Sequence, residues 1–276
     1  MKRKNIIGLL LCGTIFFAGF VLKGSLNLYF NIASLMIVLG GTATAALLSF
    51  QFERLRIVFL VVRASYRARL KSEAEIVDIL IDLSIKSRME GILSLQKDEH
   101  ETSILFLRRG LGCLVDQYEP HQIRDILNTE MYFFKLRRED SERVLRTLAD
   151  FCPAFGIVGS VAGLIPMLGG IGDTGIILKT VPLALTSILY GLILANFFFV
   201  PFAANLRERT NHELLLQKII MEGIIAIESE MNSTVLKTKL LSFLTPSARK
   251  ADLVPLARIR ERFRIPEDQK PGPSLF

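Results

Sequence analysis

Two apolar runs, joined by a short glycine-rich stretch, most constrain what this chain can fold into. Phe151 to Gly172 and Thr180 to Leu206 contain no charged residue, and Asp173 and Lys179 are the only charges between them. A helix needs about 20 consecutive apolar residues to cross a bilayer, so each run spans once and the pair makes a helical hairpin. Neither run reads as an inert anchor. The first carries Pro153, Gly156, Gly159, Ser160 and Gly163, and the second carries Thr186, Ser187, Tyr190, Gly191 and Asn196. Small residues let helices approach closely in lipid, and hydroxyls give them something to bond across the contact. Gly156, Gly159 and Gly163 fall near one helical face, where they are expected to hold copies of the chain together as a homo-oligomer. Gly169 to Gly172 reads as the turn between spans rather than as a phosphate cradle.

The rest of the chain agrees with a membrane protein. Its mean hydropathy is +0.40, yet 22% of its residues are charged, so the charges must be segregated into aqueous segments. Lys2, Arg3 and Lys4 precede an uncharged stretch from Asn5 to Leu22. A second apolar run follows at once, and no small-residue cleavage site is clear, which favours a retained span over a signal peptide. Gly24 to Phe52 holds a short loop and a second span. Arg54, Arg56, Arg63, Arg67, Arg69 and Lys71 then form a basic collar, and Arg207 and Arg209 follow the second hairpin. Lysine and arginine mark the cytoplasmic side, so both termini are expected inside, and the net charge of +7 reflects membrane orientation rather than nucleic-acid binding. Residues 53–149 read as a cytoplasmic helical loop with an apolar stripe at Ile76, Ile79, Leu80, Leu83, Ile92 and Leu93, and with breaks at Lys97 to Glu101 and at Glu119-Pro120. Asn211 to Leu244 reads as one helical stretch, whose stripe is Leu214, Leu215, Ile219, Ile224, Ile225 and Ile227. The segments are therefore a first transmembrane hairpin over 1–52, a cytoplasmic helical loop over 53–149, a second transmembrane hairpin over 150–206, a cytoplasmic helix over 207–246 and a basic, proline-punctuated tail over 247–276. The fold class is all-α, a four-span helical membrane protein with a cytoplasmic helical loop and tail.

No Asp, Glu, Lys, Arg or His lies inside any of the four spans. A protein that moves protons normally places a titratable group in the membrane. Hydroxyls such as those of Ser160, Thr186, Ser187 and Tyr190 line a path but do not load and release a proton at ordinary pH. If the chain conducts, the acid comes from a partner helix. No nucleotide-binding loop, HExxH or GxSxG is present, which argues against an enzyme. Cys12, Cys113 and Cys152 are scattered singly and suggest neither a disulfide framework nor a metal site. No cofactor is implied.

Five blocks, taken in order over residues 5 to 246, resemble the MotA branch of the MotA/TolQ/ExbB proton-channel family, the flagellar-motor stator subunits. They are Leu39-Gly40-Gly41-Thr42 with Leu48-Ser49-Phe50; Arg88-Met89-Glu90-Gly91-Ile92-Leu93; Pro153-Ala154-Phe155-Gly156 through Gly163-Leu164; Tyr190-Gly191 through Ala195-Asn196 with Pro201; and Glu222-Gly223-Ile224 through Phe243-Leu244 with Pro246. The resemblance implies a pentamer around two copies of a MotB-like single-span partner, which supplies the proton-binding Asp. Ion flow would turn the pentamer, and the cytoplasmic loop would push on the rotor protein FliG. By position, Pro153 and Pro201 match the family prolines that couple conduction to motion, and Arg88 matches the loop arginine that meets the rotor. Proline frees a backbone carbonyl and permits a kink, so the coupling role is physically sensible.

The match departs from the family at two places. The rotor-contacting acid falls on Gln96, with Asp98 and Glu99 nearby, and the fourth-span pore threonine falls on Ile188, its third-span counterpart being Ser160. Ser160, Thr186, Ser187, Ile188 and Tyr190 are the candidate channel-lining residues. With an oxygen missing at Ile188, a sodium site would be under-coordinated and a proton path would lose little. The expected function is the channel-forming stator subunit of a proton-driven motor that passes torque to a flagellar rotor. The rivals are a TolQ/ExbB-like transducer driving a non-flagellar envelope process, which Gln96 favours, and a passive membrane scaffold.

Overall fold

The computed structural model describes residues 3–22, 29–67, 72–169 and 174–244. The expected turn around 170–173 and the basic tail over 247–276 lie outside the described residues. Every described element is helical, as the sequence leads one to expect: α1 (Arg3–Val21), α2 (Ile32–Ser49), α3 (Phe52–Arg67), α4 (Glu73–Glu90), a short 3-10 turn (Ile92–Leu95), α5 (Gln96–Glu101), α6 (Leu105–Val115), α7 (Pro120–Gly169), α8 (Thr174–Ile193), a π-helical turn (Leu194–Phe199), α9 (Val200–Glu228) and α10 (Ser233–Leu241). Among the described residues, Ile32–Ser49, Pro120–Gly169 and Gly175–Glu228 contain stretches long and apolar enough to cross a membrane. The first expected span coincides with α1, about half of whose side chains lie outside the described residues.

Local chemistry explains the boundaries. Asn31 caps α2, its side-chain oxygen accepting from the Ser34 amide at 3.2 Å, which satisfies one of the orphan donors of a helix start. Pro120 opens α7 at a position where its missing N–H costs nothing, and the Gln122 side chain accepts from the Glu119 amide at 3.1 Å. The expected break at Glu119-Pro120 is thus a helix start. The expected break at Lys97 to Glu101 is instead α5, with Asp98 and Glu99 in its first turn, where acids suit the helix dipole. The single helix expected over Asn211 to Leu244 is divided between Glu228 and Ser233.

Two compact units divide the chain, and α7 and α9 contribute residues to both. One unit draws on Met1–Arg69 and Met131–Leu214. Its core gathers Ala46 of α2, Val58 and Val62 of α3, Val144, Leu145 and Leu148 of α7, and Ala203 and Leu206 of α9. Helix α3 is two-faced, burying Val58, Val62 and Ser65 while exposing Phe52, Ile57, Phe59 and Leu60. The other unit draws on Leu70–Glu130 and Leu215–Phe276. Ile76, Leu80 and Leu83 are buried there as their spacing predicts, and the stretch from Ile219 to Ile227 is buried on all sides. Ile92 and Leu93 leave the expected stripe. Gly91 adopts φ 84°, a left-handed conformation natural to glycine, and beyond it Ile92 is half-buried and Leu93 exposed. The boundary expected between residues 149 and 150 falls inside α7, and that between 206 and 207 inside α9.

Candidate functional site

Gly156, Gly159, Ser160 and Gly163 recur at i, i+3, i+4 and i+7 and so share one face of α7. That face meets α8 of the same chain. A Cβ on Gly159 would lie 2.7 Å from Ser187 Oγ, one on Gly163 3.1 Å from the Ala184 amide nitrogen, and one on Gly156 3.0 Å from the Ser187 carbonyl oxygen. Gly191 returns the contact, with a Cβ position 2.5 Å from the Cys152 carbonyl oxygen. The glycines expected to join copies of the chain are therefore spent on the hairpin inside one copy. Close backbone approach is the same physics in both cases, and sequence spacing does not say which helix fills the groove. Ser160 shares the stripe and is buried, as are Gly156, Gly159 and Gly163.

The candidate lining hydroxyls of α8 are also engaged within the chain. Thr186 and Ser187 are buried. Ser187 donates to the Leu183 carbonyl at 2.9 Å. Thr186 Oγ1 lies 2.7 Å from the Pro182 carbonyl and 2.9 Å from the hydroxyl of Ser34, which itself lies 2.9 Å from the Leu183 carbonyl. The two hydroxyls hold two protons, enough for one bond between them and one to a carbonyl. The Tyr190 hydroxyl donates to the Tyr29 carbonyl and accepts from the Asn31 amide at 2.9 Å. Thr186 and Tyr190 thus brace α8 against α2 and the segment that precedes it. Ile188 is half-buried and offers no oxygen. Ser34 and Asn31 were not candidates from the sequence, although a polar pair at the start of an apolar run is a readable signal for such bracing.

The two matched prolines sit differently. Pro153 lies inside α7, half-buried, with its Cα 3.1 Å from the Cβ position of Gly191. Pro201 is exposed and is the second residue of α9, just beyond the π-helical turn. Proline has no N–H to give the carbonyl four residues back and its ring crowds it. The wider turn accommodates this: the Val200 amide reaches the Ala195 carbonyl, five residues back, and the Asn196 side chain donates to the Leu192 carbonyl at 3.0 Å.

In the second unit, Arg88 lies in the last turn of α4 and Gln96 begins α5, and both are exposed. Arg88 donates to the Glu230 carbonyl. Around it lies a groove of about 670 Å³ lined by Glu90, Gly91, Leu93, Gln117 and Glu230 among others. Gly91, Gln117 and Glu230 are the described residues with positive φ, and all three border this groove. Of the two acids near Gln96, Asp98 is already paired and Glu99 is half-buried. Asp98 pairs with Lys86 at 2.6 Å, and Glu99 lies against Gly112, 3.2 Å from its Cβ position.

The profile of the MotA/TolQ/ExbB proton channel family matches residues 95–218. Motility protein A of Borreliella burgdorferi is 30% identical to this chain, over 81% of it and 86% of that protein. The chain belongs to the MotA/TolQ/ExbB proton channel family. The protein YtxD of Bacillus subtilis is likewise 30% identical, over 88% of this chain and 92% of its own. The flagellar MotAB stator complex from Bacillus subtilis matches in structure with a TM-score of 0.83 and 25% identity, over 91% of this chain and 100% of that one. As a member of the MotA/TolQ/ExbB family, the chain is a membrane protein with a stator ion-channel role and is not an enzyme.

This MotA/TolQ/ExbB member carries one further polar centre that sequence reading missed. Glu222, inside the otherwise apolar stretch of α9, meets Lys239 of α10 at 2.6 Å, Arg124 of α7 at 3.2 Å and Lys218 at 3.6 Å. Burial works to raise its carboxyl pKa, but the hydrogen bond and charge of Lys239, with Arg124 behind them, outweigh it and hold the group below the ordinary carboxylate range. A lone acid in an apolar run, with Lys239 seventeen positions on, gives no local signal of such a cluster.

Proposed function

We propose that this chain is the channel-forming subunit of a proton-driven flagellar stator, assembled as a pentamer around a MotB-like single-span partner in the inner membrane, with both termini in the cytoplasm. The first hairpin over 1–52 and the second over 150–206 would be the membrane segments, and 53–149 and 207–246 the cytoplasmic ones. One observation carries the reading: the spans hold no Asp, Glu, Lys, Arg or His, and the α8 hydroxyls within them are bonded inside the chain. The path then follows the side of the hairpin that carries Ile188. Thr186, Ser187 and Tyr190 form a hydrogen-bonded wall behind it, with buried Ser160 on the facing helix, and the ion-binding Asp belongs to the partner. A path with so few oxygens suits a proton better than a dehydrated sodium ion. Pro153 and Pro201 transmit the movement, and Arg88 with exposed Met89, Leu93 and Gln96 meets the rotor protein FliG.

Ion flux into liposomes tests this directly. The chain alone is expected to conduct nothing, and co-reconstitution with the partner is expected to give proton flux that persists without sodium. Robust flux from the chain alone would overturn the proposal. Topology is read from single cysteines at 26, 100 and 175 in a cysteine-free background, with only position 100 protected from outside reagent.

Gln96 favours a second reading, a TolQ/ExbB-like transducer of a non-flagellar process. Gln lacks the charge for an ion pair with a basic rotor residue, and Asp98 is already paired. Loss of swimming on deletion of the gene separates the two.

A further inference from the structure

An apolar groove of about 600 Å³ runs along α2 and α3 in the first unit, lined by Leu39, Ala43, Leu47 and Phe59 with Arg56 and Arg63 at its α3 end. Leu39 to Leu47 covers about 12 Å of helix axis, most of the roughly 15 Å depth of one leaflet's hydrocarbon. Phe52, Arg56, Phe59 and Arg63 alternate at four and three residues, so they lie on one face of α3, while Val58 and Val62 on its other face are buried in the core. The groove wall is therefore apolar to a depth that suits an acyl chain, and its mouth is cationic.

The charges at that mouth are unspent. The neighbouring Arg54 is neutralised by Asp140 at 2.7 Å. Arg56 and Arg63 have no carboxylate partner among the described residues. They stand two helical turns apart, about 10 Å, and each has a stem long enough to lie along apolar surface while its head reaches the interface. A guanidinium binds a phosphate through paired N–H donors. We propose that this groove is a binding site for one anionic phospholipid, its acyl chain between α2 and α3 and its headgroup phosphate held by Arg56 and Arg63. A second copy of the chain is the weaker occupant, because it would have to bring acids to two arginines at the edge of an otherwise apolar slot.

The site is independent of ion conduction, so its test does not depend on the stator reading. The full chain is placed in phosphatidylcholine nanodiscs containing a small fraction of phosphatidylglycerol that carries a diazirine on its acyl chain, and the cross-linked residues are mapped by mass spectrometry. Cross-links are expected at Leu39, Ala43, Leu47 and Phe59, with phosphatidylglycerol favoured over the matched phosphatidylcholine probe. Arg56→Gln with Arg63→Gln should lower that preference about thirtyfold, or about 2 kcal/mol at roughly 1.4 kcal/mol per decade, while Arg56→Lys with Arg63→Lys keeps most of it. The wild-type comparison of the two probes stands even if the Gln variant fails to assemble. Equal labelling by both probes, labelling spread over exposed Leu35 and Met36 as readily as over the groove, or an Ala43→Cys disulfide between copies would each overturn the proposal.

Discussion

A Cβ added to Gly191 would stand 2.5 Å from the Cys152 carbonyl oxygen and 3.1 Å from the Pro153 Cα. Both neighbours are backbone, which cannot swing aside as a side-chain tip can. Gly191→Ala is expected to destabilise the fold by about 1–3 kcal/mol, the usual cost of overpacking. Gly40→Ala, in α2 with nothing within 4 Å of its Cβ position, should be neutral or slightly stabilising. Thermal melts of the two variants in one detergent check this, and equal Tm values would place the tight contact elsewhere.

Tyr190→Phe removes a donor and an acceptor together, leaving the Tyr29 carbonyl and the Asn31 amide without that partner. A loss of about 1–3 kcal/mol is expected. A double-mutant cycle on Ser34→Ala and Thr186→Val should show coupling of about 0.6 kcal/mol and no more than about 1.7, the range seen for hydrogen bonds between helices in membranes. Zero coupling would mean that the two hydroxyls do not bond to each other.

The Glu222 cluster makes stability depend on pH. The carboxyl pKa is depressed in the folded chain, so its contribution is fully present above the unfolded value of about 4.3 and is lost as pH falls through the lower folded value. Glu222→Gln should cost about 1–3 kcal/mol at neutral pH. The gap in Tm between wild type and variant should close as pH is lowered below about 4.3. A gap that stays constant down to the acid limit would show that the three cations do not act through this carboxylate.

Two helix ends hold non-glycine residues in left-handed backbone. Gln117 has φ 58° and Glu230 φ 49°. The bonds Tyr118 N to Cys113 O and Met231 N to Ala226 O, both 3.0 Å, close each end in the pattern that favours glycine one residue past the cap. Gln117→Gly and Glu230→Gly are each expected to stabilise by up to about 1 kcal/mol, read by urea unfolding of the two variants. Because both residues border the Arg88 groove, a stabilised variant that loses motor function would indicate that their side chains serve the contact with a partner.

How much the sequence revealed depended on whether a contact was local. The apolar runs, the break at Glu119-Pro120 and the Ile76 to Leu83 stripe were readable because each depends on neighbours within a turn. Gly156, Gly159 and Gly163 were recognised as a packing face, but their partner was misplaced in another copy, because spacing on α7 carries no information about α8. The bonds that tie Thr186 and Tyr190 to Ser34 and Tyr29 were not legible for the same reason, since those partners lie more than 150 positions away. Leu93 was placed in the core by its period, which the positive φ of Gly91 interrupts. Glu222 was passed over because its partners come from three separate stretches of chain.

The π-helical turn at Leu194–Phe199 makes one stretch of the second hairpin tolerant of a change in length. Anywhere else in α8 or α9, deleting a residue turns everything downstream by about 100° and moves one set of faces away from its neighbours. A turn of this kind already holds one residue more than an α-helical turn, so removing Asn196 would return it to ordinary winding and leave Ala203 and Leu206 facing the core they now fill. What such a deletion would give up is the slack in front of Pro201, whose ring would then press on a fully wound ladder.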